Sequence, residues 1–287
     1  MPSLWKKLLI IVSVLLVISL ILGGVLWQQL KVVKTQLADT TVQLEAAEIR
    51  IDKITGEGSW LVDHYPEFKK QIIMRLGEGQ DAQHFITPDD PAVAAKVQEI
   101  TGGQAEDAKE WWADYGRLYS WIVMNIEYAP DSYIPILPEP MDETLRWEEG
   151  FWRMPAETIK DGVGDCEDMT VLLASMLLNY NERMHPVWAI GIESSKPEPT
   201  WHIALAFPVE NNRLTILDPS ARYHTVFPIG WGLAAFDASV AVNDWLARWA
   251  EKMSDAHVYL VFSEDFYQEF NSTEEFIEWV NNLKLWD

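Results

Sequence analysis

The only cysteine of the chain, Cys166, lies where a glycine-rich segment meets a helical sequence pattern. Residues 162–166 read Gly-Val-Gly-Asp-Cys, and residues 167–178 have strong helical propensity and one apolar face. Cys166 is therefore predicted in the first turn of a helix. Unpaired backbone N–H groups and the positive end of the helix dipole favour a thiolate there and supply a donor for an oxyanion. Glu167 and Asp168 would oppose a thiolate, so we expect both side chains to point away from the sulfur.

A histidine and an aspartate follow on two strand-like runs joined by the short loop 210–212. In an antiparallel hairpin, directly opposed residues project to the same face with Cβ atoms about 4.5–5.5 Å apart. If Ala206 lies opposite Leu214, then His202 lies opposite Asp218. In that register the carboxylate of Asp218 orients the imidazole of His202.

Cys, His and Asp are the side chains that nucleophilic acyl transfer needs. The imidazole of His202 takes the proton of the Cys166 thiol, the carboxylate of Asp218 fixes the tautomer, and the thiolate attacks a carbonyl carbon. The small residues Ala204 and Ala206 share the predicted face of His202, so we expect them to leave room for a helix end to approach. The sequence thus predicts a thiol-dependent acyl-transfer site.

Three blocks of this region resemble the transglutaminase-like superfamily, in the form of its membrane-anchored prokaryotic and archaeal members. The cysteine block is residues 155–177, the histidine block is Trp201-His202-Ile203-Ala204, and the aspartate block is Leu217-Asp218-Pro219-Ser220. Their order and spacing agree with the family, and the resemblance covers about residues 115–225.

The resemblance implies an α+β fold with a papain/transglutaminase-like core, in which the cysteine-bearing helix packs on an antiparallel sheet. It also implies that Cys166, His202 and Asp218 form the catalytic triad of a cysteine peptidase, amidase or acyltransferase. The calcium-site pattern of the animal cross-linking enzymes is not recognisable in the sequence. No cofactor and no metal are therefore expected.

A second donor for the oxyanion is less evident from the sequence. The indole N–H of Trp152 and the hydroxyl of Tyr128 are the two candidates, and core packing is the alternative interpretation of each. Asp161 and Asp165 have the side chains for a cation site in the glycine-rich segment, but they do not form a complete ligand set.

Two further histidines compete with His202. His185 precedes a predicted strand and His224 follows the aspartate block, so a structural or solvated role is favoured for each. A metal-dependent hydrolase that uses His202, Asp218 and His224 is the alternative chemistry.

The N-terminal region has the pattern of a membrane anchor. Twenty residues from Leu8 to Trp27 carry no charge, long enough for a helix to cross a hydrocarbon core of roughly 30 Å. Lys6 and Lys7 precede this run, which favours an N-terminus on the inside and an extracytoplasmic catalytic domain. A cleaved signal peptide is the rival interpretation, but its apolar region would be shorter. We expect a single-pass protein that contacts membrane lipid through residues 8–27.

A helical heptad pattern follows the anchor. Leu30, Leu37, Leu44 and Ile51 are spaced seven apart, which is typical of a coiled coil or stalk and of self-association through it. The alternative is one amphipathic helix that folds back on the domain. Because glycines at 56 and 58 predict the end of this helix, we divide the chain into an anchor (1–28), a stalk (29–58) and a transglutaminase-like domain (59–287).

Composition limits the partners. The chain has 44 acidic and 22 basic residues, a formal net charge of −22. Such a charge disfavours nucleic acid, because its field repels phosphate, and it favours neutral or basic partners. The predicted function is therefore a membrane-anchored thiol hydrolase or acyltransferase acting on amide bonds of a peptide, protein or cell-envelope polymer. The alternative is a non-catalytic transglutaminase-like binding module displayed on a membrane stalk.

Overall fold

A computed structural model describes residues 2–105, 107–138, 144–226 and 232–284 of the chain. Most side chains of the first 25 residues, and that of Glu57, lie outside this description. The chain divides into two compact units, Met1–Glu67 and Phe68–Asp287.

One long helix, α1 (Pro2–Met74), makes up the first unit and ends in the second. The predicted helix stop at residues 56–58 is wrong, because helical backbone continues through both glycines. The heptad side chains Leu37 and Leu44 are exposed. Among the described residues, no helix is long and apolar enough to cross a membrane. Most side chains of the predicted anchor, residues 8–27, are not among those that the structure describes.

Six further α-helices lie in the described part of the second unit. They are α2 (Pro91–Thr101), α3 (Ala108–Asn125), α4 (Pro155–Asp161), α5 (Cys166–Tyr180), α6 (Ala238–Trp249) and α7 (Thr273–Asn281). Local signals in the sequence define several of their ends. The carboxylate of Asp90 accepts a hydrogen bond from the N–H of Ala92 and caps α2, while Gly102, at φ +81°, ends it in the left-handed region.

The described strands form one large sheet and two small pairs. The strands of the sheet are β5 (Trp188–Ser194), β6 (Thr200–Val209), β7 (Arg213–Asp218), β8 (Tyr223–His224), β9 (Phe236–Asp237), β10 (His257–Phe262) and β11 (Tyr267–Glu269). Their order in the sheet is β11-β10-β5-β6-β7-β8, and β9 pairs with β7. The small pairs are β1 (Glu127–Tyr128) with β4 (Val163–Gly164), and β2 (Tyr133–Ile136) with β3 (Arg146–Glu149).

The β6–β7 hairpin forms as predicted, but its register differs from the predicted one by two residues. Ala206 lies opposite Ile216, not Leu214. The three-residue turn at 210–212 makes Val209 and Arg213 the closing pair, and this fixes the register. Because side chains alternate with a period of two, a shift of two keeps every residue on its predicted face.

Two hydrophobic clusters lie on opposite faces of this sheet. Helix α5 packs on the face that carries Ile203 and Leu205, and the hydroxyl of Thr170 donates to the carbonyl of Ile203. The opposite face, with Ala204 and Ala206, is covered by α6. The α+β architecture with the cysteine helix on an antiparallel sheet is therefore confirmed. The expectation that Ala204 and Ala206 admit the cysteine helix is wrong, since they pack in the α6 cluster.

Candidate active site

The N-terminus of α5 is fixed by the glycine-rich segment before it. Strand β4 of this segment pairs in parallel with β1, and the N–H of Ala129 donates to the carbonyl of Gly164 at 3.1 Å. A Cβ atom on Gly164 would lie 2.7 Å from the Cβ of Asp168, so only glycine fits against the first turn of the helix. Cys166 is the first residue of that turn, as predicted.

The thiol of Cys166 is buried and lies beside a carboxyl group. It donates to Oε2 of Glu167 at 3.2 Å. Burial raises the pKa of Cys166 well above its usual value, the negative charges of Glu167 and Asp165 raise it further, and a hydrogen bond from the N–H of Ile203 lowers it. The helix start favours a thiolate, as predicted, but it does not outweigh burial and the nearby carboxyls. The expectation that Glu167 points away from the sulfur is wrong.

Asp165 and Glu167 form an acidic pair around the sulfur. Burial raises the pKa of both carboxyls, and the interaction with Asp165 raises that of Glu167 further. Oδ1 of Asp165 is buried without a hydrogen-bond partner. Two buried carboxyls in contact cannot both ionise without a cost, and this raises the pKa of Glu167.

Asp168, in contrast, points away from the sulfur as predicted. Its carboxylate accepts 2.7 and 2.8 Å hydrogen bonds from the backbone N–H and the guanidinium of Arg153, which also contacts Asp131 at 3.3 Å. Burial raises the pKa of Asp168 to about 6, against the lowering effect of Arg153. This contact ties α5 to the segment before α4.

His202 and Asp218 form a buried hydrogen-bonded pair. Nε2 of His202 lies 2.8 Å from Oδ2 of Asp218. In the observed register they are not directly opposed, but they project to the same face and meet diagonally.

The surroundings keep Asp218 ionised. Burial would raise its pKa, but the charge and hydrogen bond of His202 and the indole N–H of Trp245 lower the pKa below its usual value. The indole N–H of Trp249 also donates to Oδ2 of Asp218 at 3.3 Å, and its ring lies 3.9 Å from that of His202, centroid to centroid. Ser220 donates to the other oxygen at 3.0 Å. The two tryptophans, four residues apart on α6, were not recognised as site residues from the sequence.

One cleft of about 590 Å³ joins the cysteine to this pair, since Cys166 and His202 both line it. In the part of the chain that the structure describes, no hydrogen bond connects Cys166 to His202. Because Nε2 of His202 is occupied by Asp218, Nδ1 is the ring nitrogen left to take a proton from the thiol.

The two candidates for a second oxyanion donor lie in different places. Tyr128 lines the cleft, and burial raises its pKa to about 12, so the phenol keeps its proton. Trp152 is buried in the α5 core, against Gly77 and 5.3 Å from the ring of Phe85, and it does not line the cleft. The packing interpretation therefore applies to Trp152, while Tyr128 remains a candidate.

The competing histidines lie elsewhere. The ring of His185 is 4.7 Å from that of Trp111, the ring of His224 is 5.3 Å from that of Tyr119, and burial lowers the pKa of both histidines. Neither lines the cleft of Cys166.

Among the described residues, two groups have ligand atoms close enough together to hold a metal ion. One is Asp165, Cys166 and Glu167, and the other is Asp131, Asp165 and Asp168. Asp161 belongs to neither, nor do the three residues of the metal-dependent alternative.

Comparison with known proteins gives one family and several distant structures. No curated protein matches the chain significantly. Among solved structures, a candidate cysteine protease from Cytophaga hutchinsonii has 15% identity and a TM-score of 0.31 over 65% of this chain and 50% of its own. Legionella pneumophila LapG has 16% identity and a TM-score of 0.30 over 64% of this chain and 91% of its own. The chain thus spans half the length of the Cytophaga protein. Residues 105–229, which include Cys166, His202 and Asp218, match the model of a transglutaminase-like domain family.

Proposed function

We propose that the chain is a thiol hydrolase or acyltransferase that acts on amide bonds through Cys166, His202 and Asp218. The observation that carries this proposal is the buried contact between Nε2 of His202 and Asp218, at 2.8 Å, in the same cleft as Cys166. The match of residues 105–229 to a transglutaminase-like family supports it.

The proposed reaction begins when the thiol leaves Glu167 and gives its proton to Nδ1 of His202. The thiolate attacks the amide carbonyl, and the backbone N–H groups at the start of α5 stabilise the oxyanion, with Tyr128 as the second donor. The C–N bond then breaks, the imidazolium gives its proton to the leaving amine, and a thioester remains on Cys166. Water or an amine resolves the thioester and regenerates the thiol.

Asp218 holds the imidazole in the required tautomer and stabilises imidazolium. The N–H groups of Trp245 and Trp249 keep its carboxylate ionised. The raised pKa of Cys166 means that the nucleophile is a neutral thiol at rest and becomes a thiolate only on transfer to His202. Such a site reacts with a bound substrate and resists oxidation of its free thiol.

A peptide, protein or cell-envelope polymer is the proposed substrate. We also propose that residues 8–27 anchor the chain in a membrane, with the N-terminus inside and the cleft outside, and that the stalk self-associates. The uncharged run Leu8–Trp27 supports the anchor, and the exposed heptad side chains, such as Leu37 and Leu44, support the stalk.

The test is turnover of peptide mixtures and envelope extracts, read by mass spectrometry. Cys166→Ala and His202→Ala should abolish product formation while the far-UV spectrum is unchanged. His185→Ala is the matched control, because that histidine lies outside the cleft. Full activity of Cys166→Ala would contradict the proposal.

A second candidate, a non-catalytic binding module, is favoured by one observation. The thiol is buried and its pKa is raised by its surroundings, as in a structural cysteine. A binding module would retain a substrate polymer equally well in the wild type and in Cys166→Ala, and it would release no product from that polymer.

A further inference from the structure

The charged side chains that line the cleft of Cys166 are opposite in sign to the net charge of the protein. Its lining contains two basic residues, Arg248 and Lys252, and among the described residues that line it there is no aspartate or glutamate. The whole chain has twice as many acidic as basic residues. The basic lining is therefore specific to this cleft, which also contains Cys166 and His202.

Both cations are available to a ligand. Arg248 and Lys252 are exposed, and in the described part of the chain neither forms a salt bridge. Nζ of Lys252 lies 5.4 Å from the centroid of the Trp249 ring, which keeps the ammonium at the cleft wall.

Their position along the cleft follows from α6. Arg248 and Lys252 lie in the last turn of this helix and in the turn after it, beside Trp249, whose ring centroid is 3.9 Å from that of His202. The cations are therefore on the histidine side of the nucleophile. In the proposed reaction His202 protonates the leaving amine, so groups beside His202 contact the leaving part of the substrate.

We infer that Arg248 and Lys252 bind a carboxylate on the leaving part of the substrate, and that the cleft prefers amides whose leaving amine carries negative charge. This inference rests on the proposed function and specifies its substrate. The carboxylate belongs either to an acidic side chain or to a free chain terminus. The exposed ring of Trp201 and the ring of Trp249 supply apolar surface for the neighbouring atoms.

This inference replaces the preference for neutral or basic partners that the net charge of the chain suggests. The net charge acts over distances comparable to the Debye length, about 8–10 Å in physiological salt. At the histidine end of the cleft the exposed charges are those of Arg248 and Lys252, whereas the carboxylate of Asp218 is buried and hydrogen-bonded to His202.

Four peptides with one acyl part test the inference. Their leaving residue is Glu or Gln, and each has a free or an amidated C-terminus, so the two sources of carboxylate are separated. We expect kcat/KM to be on the order of tenfold higher for the preferred carboxylate, as two exposed ion pairs would give. In the double variant Arg248→Gln/Lys252→Gln this ratio should fall to about one. In Arg248→Lys/Lys252→Gln, which keeps one positive charge, part of the ratio should remain.

Lys160→Gln is the matched control, since Lys160 is an exposed lysine on α4, outside the cleft. An unchanged ratio in the double variant, or a preference for the amidated Gln peptide, would overturn the inference.

A binding measurement separates this inference from the proposed function. The leaving-part peptides are titrated into the full chain with Cys166→Ala and followed by anisotropy. If no peptide is cleaved but the acidic peptide binds more tightly in a way that depends on Arg248 and Lys252, the proposed function fails and the anion site stands. If the peptides are cleaved without any charge preference in turnover or binding, the anion site fails and the proposed function stands.

Discussion

The groups around Cys166, at the start of α5, shift the pKa of its thiol in opposite directions. The N–H of Ile203 lowers the pKa of the thiol, while burial and the carboxyls of Glu167 and Asp165 raise it, and the raising effects are larger. The sequence indicates the helix start but not the direction of the Glu167 side chain. That direction depends on how the first turn packs against β6, which is a tertiary contact.

Replacement of Glu167 by Gln should therefore activate the thiol. The substitution removes an ionisable carboxyl whose charge and hydrogen bond raise the pKa of Cys166, so that pKa falls. At a pH below that pKa the labelling rate follows the thiolate fraction, and a decrease of one unit gives about a tenfold faster rate. The measurement is iodoacetamide labelling from pH 6 to 10, and the wild-type rate at pH 7 should be below that of a free thiol peptide.

Glu148→Gln, on the exposed strand β3, is the control for a general charge effect. Slower labelling in Glu167→Gln than in the wild type would contradict this description of the site.

At the scale of the elements, Arg153 connects the segment before α4 to the first turn of α5. Arg153→Met would leave Asp168, a fully buried carboxyl, without its cation. Loss of one partner of a buried ion pair costs about 3–5 kcal/mol, so the free energy of unfolding should fall by about that amount. Urea unfolding monitored by tryptophan fluorescence measures it, with Arg146→Met on β3 as the exposed control.

The pH dependence of this variant distinguishes the ion pair from simple packing. The pKa of Asp168 is raised to about 6, so the folded state holds its proton more tightly than the unfolded chain does. Stability then falls as pH rises through that pKa. Without Arg153 the pKa rises further, so the deficit of Arg153→Met should be larger at pH 8 than at pH 5. An equal deficit at both pH values would indicate lost packing only.

The sequence predicted the elements of the site better than their contacts. The hairpin, the helix start at Cys166 and the face shared by His202 and Asp218 follow from local patterns of period two and from the glycine-rich segment. The register of the hairpin could not be predicted from the sequence, because it depends on the geometry of the turn at 210–212. The role of α6 in the site could not be predicted either, since a pair such as Trp245 and Trp249 is equally typical of core packing.

For the whole molecule, the division into two units predicts independent folding of the second. The glycines at 56 and 58 do not end α1. Glycine weakens a helix by only about 1 kcal/mol per residue relative to alanine, and the surrounding helical residues outweigh that cost. A fragment of residues 68–287 should unfold cooperatively, with the urea midpoint of the full chain.

The same fragment tests the proposed anchor. The full chain should co-sediment with phosphatidylcholine vesicles, and the 68–287 fragment should remain in the supernatant. Co-sedimentation of the fragment would move the membrane contact to the second unit, and absence of the full chain from the pellet would contradict the anchor.

The most direct test of the central claim is to trap an acyl group on Cys166. The full chain is mixed with an activated peptide ester, quenched in acid and analysed by intact and peptide mass spectrometry. The account predicts one thioester adduct, located on Cys166, formed far more slowly by His202→Ala and not at all by Cys166→Ala. An adduct on another residue, or equal acylation of the wild type and His202→Ala, would contradict it.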